Sequence, residues 1–432
     1  MPTTSASLAP LGRLAPVVPL VAMAAAMMAP RGSAATFIAI ALVPVLALLF
    51  LEGLRTVTVW TATPFNWVLL ALGVYLAVNA LWSADRGEAL GKVVFFWLLL
   101  ALGWLAGRGM GRLDDQTLER LARGVIVGTL IGALFLAIEV LSGQWIKRSL
   151  FNLLPMARPD PKHINVQGGA VISIGDYVLN RSFAVLCLAV WPTLLMLRSL
   201  LSVAAARIAA GVLLVLTGVG VFNSAHETSM LAVAFAGVAF VGVLLLPRVL
   251  RPMLVVGWIA ATILVVPIAV ASYAAGLHQA QWIPDTGRQR IILWSVTATK
   301  SMQAPLLGVG VAATKSLDER AMATAERREG HSYPQRTGRH AHNIFMQTWY
   351  ELGAVGAVLL LAIGLLLLRQ LFRLPPEVQP YALASFVSAV LIGAFSWGIW
   401  QTWFMAAYGI WALLLMLAIE IARRRGGGPI PR

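Results

Sequence analysis

Residues 252–274 read PMLVVGWIAATILVVPIAVASYA, twenty-three positions without one charged side chain. As a helix rising about 1.5 Å per residue, such a stretch crosses a hydrocarbon core roughly 30 Å thick. Apolar stretches of similar length recur near 14–30, 35–52, 65–83, 90–107, 123–141, 178–197, 203–222, 229–247, 353–370, 381–397 and 401–422. Of the 432 residues 59% are hydrophobic and 12% charged, a balance foreign to a water-soluble domain of this length. The expectation is an all-α integral membrane protein, residues 1–432 forming one polytopic domain of about 12 transmembrane helices. The single cysteine, Cys187, lies inside an apolar stretch, so neither a disulfide framework nor a thiolate metal site is available and redox chemistry is not expected. Leu14 to Pro30 has the outline of a signal peptide, with Arg13 before it and Ser33 to Ala35 after it. It is read as an uncleaved first span, since the later spans supply stop-transfer signals in any case.

Placing both termini in the cytoplasm puts Arg55, Arg108, Arg112, Arg120, Arg123, Arg198, Arg207, Arg248, Arg251, Arg369, Arg373 and Arg423 to Arg425 on the inner side, as the positive-inside rule requires. Within this set DDQTLERLAR (114–123) reads as a short interfacial helix, and Pro375-Pro376 as a tight connection. Two outer segments are long, 142–177 and 275–352, the second expected to be a large periplasmic loop with short helices. Loops of that size usually carry function. All six histidines, His163, His226, His278, His331, His340 and His342, fall on the outer side. Basic residues collect there too: Arg86, Lys92, Lys147, Arg148, Arg158, Lys162, Arg181, Arg288, Arg290, Lys300 and a cluster from Lys315 to Arg339. Long loops translocate regardless of charge, but the set as a whole favours an anionic ligand on the outer face. No nucleic-acid partner is expected.

In DTGRQRIILWSVTATKSMQAPLLGVG (285–310), Thr286 and Gln289 have capping-box spacing, and Ala304-Pro305 mark a stop, so a helix is expected from there to about Gln303. Arg288 and Arg290 then lie in its first turn, where cations oppose the helix dipole by roughly 0.3–1 kcal/mol each. A bound phosphate or pyrophosphate would reverse that sign. Trp294, four residues after Arg290, would lie on the same face and shield it or stack on it. The alternative is a pair of snorkelling arginines with an interfacial tryptophan.

Downstream, GRHAHNIFMQTWYELGAVG (338–356) brings His340 and His342 two residues apart ahead of an apolar run. In an extended segment they point the same way, but with few carboxylates near and no thiol, acid–base chemistry is the better functional reading than a metal site. A neutral imidazole can take a proton from a hydroxyl nucleophile, and neighbouring arginines would hold it neutral. Asn343 is placed either to cap the next helix or to hold a sugar hydroxyl.

The pattern His342-Asn343, nine residues, Gly353, two residues, Gly356 resembles the signature of O-antigen ligases in the bacterial O-antigen ligase and polymerase superfamily. Arg290-x3-Trp294 followed by PLLGVG (305–310) is similar to a second landmark of that family, and LWSADRGEALGK (81–92) to a weaker early one. The resemblance implies a GT-C type glycosyltransferase of the bacterial inner (plasma) membrane with its active site on the periplasmic face. It also implies a donor glycan on undecaprenyl pyrophosphate, a lipid A core acceptor in lipopolysaccharide biosynthesis, and inversion without metal or cofactor. Carried over residue by residue, it makes His342 the general base and Arg290, with Arg288 beside it, the pyrophosphate ligands. Arg181, in YVLNRSF (177–183), is a further pyrophosphate candidate. Many relatives have Ser-Arg where this chain reads NSAHETSML (223–231), so that Glu227 stands at the arginine position beside His226, the two forming a possible orienting pair for acceptor hydroxyls. His340, Asn343, Lys92, Arg86 and Arg158 complete the substrate-binding candidates. An O-antigen polymerase or a protein O-oligosaccharyltransferase shares the donor and differs in acceptor. A transporter or flippase would be expected to show an internal repeat and intramembrane charges, which this sequence does not.

Overall fold

A computed structural model of the chain describes residues 9–53, 63–324 and 336–426. Arg55, His331 and the middle of the Lys315–Arg339 cluster lie outside the described residues. The long helices are α1 (Ala9–Met28), α2 (Ser33–Glu52), α3 (Pro64–Asn79), α4 (Arg86–Met110), α5 (Asp115–Leu141), α7 (Asn180–Leu200), α8 (Val203–Phe222), α9 (Glu227–Leu245), α10 (Pro247–Ala274), α13 (Ile344–Leu371), α14 (Gln379–Phe395) and α15 (Thr402–Arg425). Among the described residues, eleven apolar helical spans, some extended by a 3-10 turn, are 18 residues or longer, and α14 adds 17 apolar residues. The protein is an all-α multi-pass membrane protein.

Helix α7 is buried on every side from Ser182 to Leu197 and forms the axis around which α5, α14 and α15 pack. A helix apolar all round belongs in such a position. Against α5 lies α1, which approaches closely because Gly124, Gly128 and Gly132 present no Cβ to Pro16, Leu20 and Met27. The outer helices α8, α9 and α10 expose Val215, Phe235 and Val256, the surface that a lipid environment requires.

Three expectations are corrected. Residues 115–123 are not a separate interfacial helix: the Asp114 carboxylate accepts from Thr117 N–H at 2.8 Å, and Leu118, Leu121 and Ala122 are buried, so α5 runs unbroken to Leu141. The span near 353–370 begins earlier, at Ile344, with Gly353 as a break inside it. The span near 381–397 ends at Phe395, because Ser396 leaves helical geometry at φ −113, ψ −84.

Between the spans, residues 142–179 hold the short helix α6 (Trp145–Leu153) and an antiparallel hairpin, β1 (Ile164–Gln167) with β2 (Ala170–Ile174). Residues 275–343 hold α11 (Asp285–Ser301) and α12 (Thr314–Thr324). Both segments lie at one end of the bundle. At the other end arginines find carboxylates: Arg108 and Arg112 on Glu52, Arg424 on Asp115 and Glu420, Arg425 on Glu119.

Candidate active site

The three sequence landmarks meet in one backbone assembly. Residues 305–310 run alongside the break in α13, with Val309 N–H donating to Tyr350 C=O, Gly310 N–H to Glu351 C=O, and Ala354 N–H to Pro305 C=O at 2.8–3.0 Å. Gly353 takes φ +63, and a Cβ there would run into the Leu306 carbonyl. Its glycine therefore serves a left-handed break that docks a loop. From the first landmark, Ser83 Oγ donates to Val311 C=O at 2.8 Å and Trp82 Nε1 to Gly308 C=O at 3.3 Å. Beneath them the buried Glu351 carboxylate accepts from Thr314 N–H at 3.0 Å, Gln347 Nε2 at 3.2 Å and Trp400 Nε1.

This frame carries the histidines. Asn343 caps α13, its side-chain oxygen accepting from Phe345 and Met346 N–H at 2.9 and 3.0 Å, which decides between its two readings in favour of the cap. Trp294 does not stack on Arg290: its indole N–H donates to Ala341 C=O at 2.7 Å and so holds the histidine loop. His342 is not extended but takes φ +53. The rings of His340 and His342 lie 4.0 Å apart between centroids. His342 Nδ1 is hydrogen-bonded to the Ser396 carbonyl, which can only accept, so the proton sits on Nδ1 and the Nε2 lone pair is left free. Burial, with the Arg290 charge adding to it, brings the His342 pKa down to about 4 from 6.5. His340 falls to about 3 through burial and the neighbouring His342, Arg339 and Arg181; its Nδ1 is buried without a protein partner. At neutral pH both imidazoles are uncharged.

The two arginines of α11 differ. The helix begins with Pro284 at its N-cap and no side-chain cap bond; Thr286 already lies inside it and gives its hydroxyl to Glu227 at 3.0 Å, so the expected capping box is absent. Arg288 is ion-paired with Asp285, a carboxylate at the helix start where the dipole favours it. Arg290 is largely buried and makes no hydrogen bond or ion pair among the described residues; burial lowers its pKa, with Glu227 opposing. Its charge reaches both His342 and His226. His226 and Glu227 do not pair with each other. His226 Nδ1 lies 2.6 Å from Ser229 Oγ, its ring stands 5.1 Å from that of Trp397, and burial brings its pKa to about 3.

Arg181 lies over the Trp403 ring at 5.5 Å. It lines a cavity of about 400 Å³ with His340, Lys92, Gln347, Glu351 and Gln401. Lys92 is paired with Glu88 at 2.9 Å and Thr402 at 3.1 Å. Arg158 sits farther along the same end, held by the Phe151 and Gly169 carbonyls, and Arg86 stands exposed at the start of α4. An apolar cavity of about 590 Å³ opens on the other flank, lined by Trp258, Ile291, Trp294, Asn343, Phe345 and Phe395. Among the described residues, no group of three His, Cys, Asp or Glu is placed to hold a metal ion.

Sequence reasoning missed Ser396, Gln347 and Glu351. Glu351 carried a signal, as a lone carboxylate in an apolar helix. Ser396 carried none, since it acts through its carbonyl.

The sequence profile described as O-antigen ligase matches residues 212–361, which include α11 and the histidine loop. A Rickettsia conorii protein that carries the provisional name polysaccharide ligase is 32% identical over 130 residues, 29% of this chain and 30% of its own length. A Rickettsia felis protein of the same provisional name is 26% identical over 248 residues, 56% of this chain and 59% of its own length. A Rickettsia bellii relative is 24% identical over 308 residues, 70% and 68% of the two chains. The first two matches thus span less than two thirds of those relatives.

Proposed function

We propose that the chain, whose residues 212–361 match the O-antigen ligase profile, is a membrane-embedded glycosyltransferase of that kind. It takes a glycan from undecaprenyl pyrophosphate and attaches it to the lipid A core oligosaccharide, from the periplasmic face of the bacterial inner membrane. One arrangement supports this above all: a neutral His342 with Nε2 free, within the field of an unpaired, largely buried Arg290.

The chemistry follows from that pairing. The acceptor hydroxyl gives its proton to His342 Nε2 as its oxygen attacks the anomeric carbon. The bond from that carbon to the pyrophosphate oxygen breaks, and the leaving lipid pyrophosphate carries its charge beside Arg290. Attack and departure in line invert the anomeric centre. Arg290 is the primary pyrophosphate ligand, because Arg288 is already neutralised by Asp285. The apolar cavity beside Asn343 and Trp294 suits the polyprenyl chain. No step calls for a metal.

Reconstitution in liposomes with purified undecaprenyl pyrophosphate glycan and three separate acceptors tests the reading. Product on lipid A core is expected. Product only on a second donor would make the protein a polymerase, and product only on a Ser/Thr peptide a protein O-oligosaccharyltransferase.

A further inference from the structure

A larger cavity, about 740 Å³, lies beside the histidines and has no part in the donor chemistry above. Its wall comes from the turn between α1 and α2, from α6, from Arg158 and Pro159, and from Asn180 and Arg181 at the start of α7. Four cations line it, Arg31, Lys147, Arg158 and Arg181, and no carboxylate does. None of the four makes an ion pair among the described residues. Lys147 gives its ammonium to the Met28 carbonyl at 3.3 Å and feels the Glu139 carboxylate behind the wall, while Arg158 gives two N–H groups to carbonyls at 3.0 and 2.8 Å, so Arg158 is held at the wall by neutral acceptors alone. Arg181 Nε and Asn180 Oδ1 are buried without a protein partner. Three of these cations, Lys147, Arg158 and Arg181, are half-buried and Arg31 is exposed at the rim; like charges gathered in this way repel one another and are costly to desolvate, so folding stability gives little reason for them. An anion reverses that sign. The rest of the wall includes Phe135, Ile146, Leu150 and Phe151, so the cavity is cationic and greasy at once.

Its place relative to the donor elements is specific. In three successive residues, Phe395 lines the apolar cavity, Ser396 holds His342, and Trp397 lines the cationic cavity. Arg181 belongs both to the cationic cavity and to the smaller one that contains His340. Two substrates arriving from two cavities would meet at His342, as an in-line displacement requires.

We propose that the cationic cavity is the acceptor site, and that it takes a phosphorylated glycolipid whose phosphates contact Arg31, Lys147, Arg158 and Arg181. The assignment rests on the glycan-transfer reading above and moves Arg181 from the donor to the acceptor. The lipid side lies along Phe135, Ile146 and Phe151, and a sugar hydroxyl reaches His342 past Trp397.

Two measurements on the full-length protein separate this site from that reading. The first is equilibrium binding, without donor, of lipid A carrying both phosphates and of phosphatase-treated lipid A, to wild type and to the triple variant Arg31→Gln, Lys147→Gln, Arg158→Gln. Wild type should prefer the phosphorylated lipid at least tenfold, and the variant should lose that preference. Equal binding of the two lipids, an unchanged preference in the variant, or free sodium pyrophosphate binding as tightly as the lipid would each overturn the site. The second is the transfer assay, in which the variant should raise the acceptor KM about tenfold and leave the donor KM unchanged. A raised donor KM with an unchanged acceptor KM would also overturn it. Phosphate-dependent binding lost in the variant, with no transfer by wild type to any acceptor, would uphold the site and remove the glycan-transfer reading.

Discussion

His342 holds a positive φ of 53°, a backbone conformation that costs an ordinary side chain about 1–3 kcal/mol. Its ring is anchored to the Ser396 carbonyl, and that bond puts the proton on Nδ1 and leaves the Nε2 lone pair free. If His342 is the base proposed above, it acts as the unprotonated ring, and a pKa lowered to about 4 moves the acidic limb of activity to lower pH. The kcat/KM profile of the wild-type enzyme should therefore stay flat from pH 8 down to about pH 5; a limb centred at the ordinary imidazole value, near 6.5, would count against the burial of His342. The two arginines divide in the same way. Arg290→Ala should lower kcat/KM for the donor by roughly 10²–10³, whereas Arg288→Ala, whose partner is Asp285, should cost less than tenfold. Initial rates against donor concentration decide this, and equal losses would remove the distinction. The spacing to Asn343 and Trp294 pointed to His342 and Arg290 as candidates, and the structure brings the Arg290 charge within reach of the His342 ring. What singles Arg290 out from Arg288 was not legible in the sequence, because it depends on Asp285 folding back one turn and on Glu227 arriving from another helix.

At the scale of the elements, hydropathy located the twelve long helices among the described residues, since burial in lipid acts on each span by itself. It failed where a span meets the site. Residues 344–352 are helical and polar on one side, with Gln347 and Glu351 turned to Thr314, Ile399 and Trp400, so they do not resemble a lipid-facing run. The glycines of the landmarks mark the place where the loop at 305–310 is threaded against α13. Gly353→Ala would put a Cβ against the Leu306 carbonyl and hold alanine at φ +63, a destabilisation of about 1–3 kcal/mol or more. Gly218→Ala, with open space around its Cβ, should be neutral. Thermal unfolding in detergent compares the two; an unchanged Tm for Gly353→Ala would mean that the break at α13 relaxes freely.

Across the whole molecule the charges separate by end. One end pairs its arginines with Glu52, Asp115, Glu119 and Glu420; the other gathers the described histidines, Arg181, Arg290 and the cationic cavity. The paired end corresponds to the arginines that the positive-inside rule assigns to the cytoplasm. Because Cys187 is buried and silent, cysteines introduced at the exposed Met156 and Glu377 can report sidedness. Met156→Cys should react with an impermeant maleimide in intact spheroplasts and Glu377→Cys only after permeabilisation; the reverse pattern would turn the protein over and place the histidines inside. At the centre of the outer end stands the His342 ring. Transfer of glycan to lipid A core by His342→Gln in proteoliposomes, with donor and acceptor saturating, measures its part directly. A loss of about 10²–10⁴ in kcat with unchanged thermal stability is the expected result; turnover within tenfold of wild type would contradict a general base at His342.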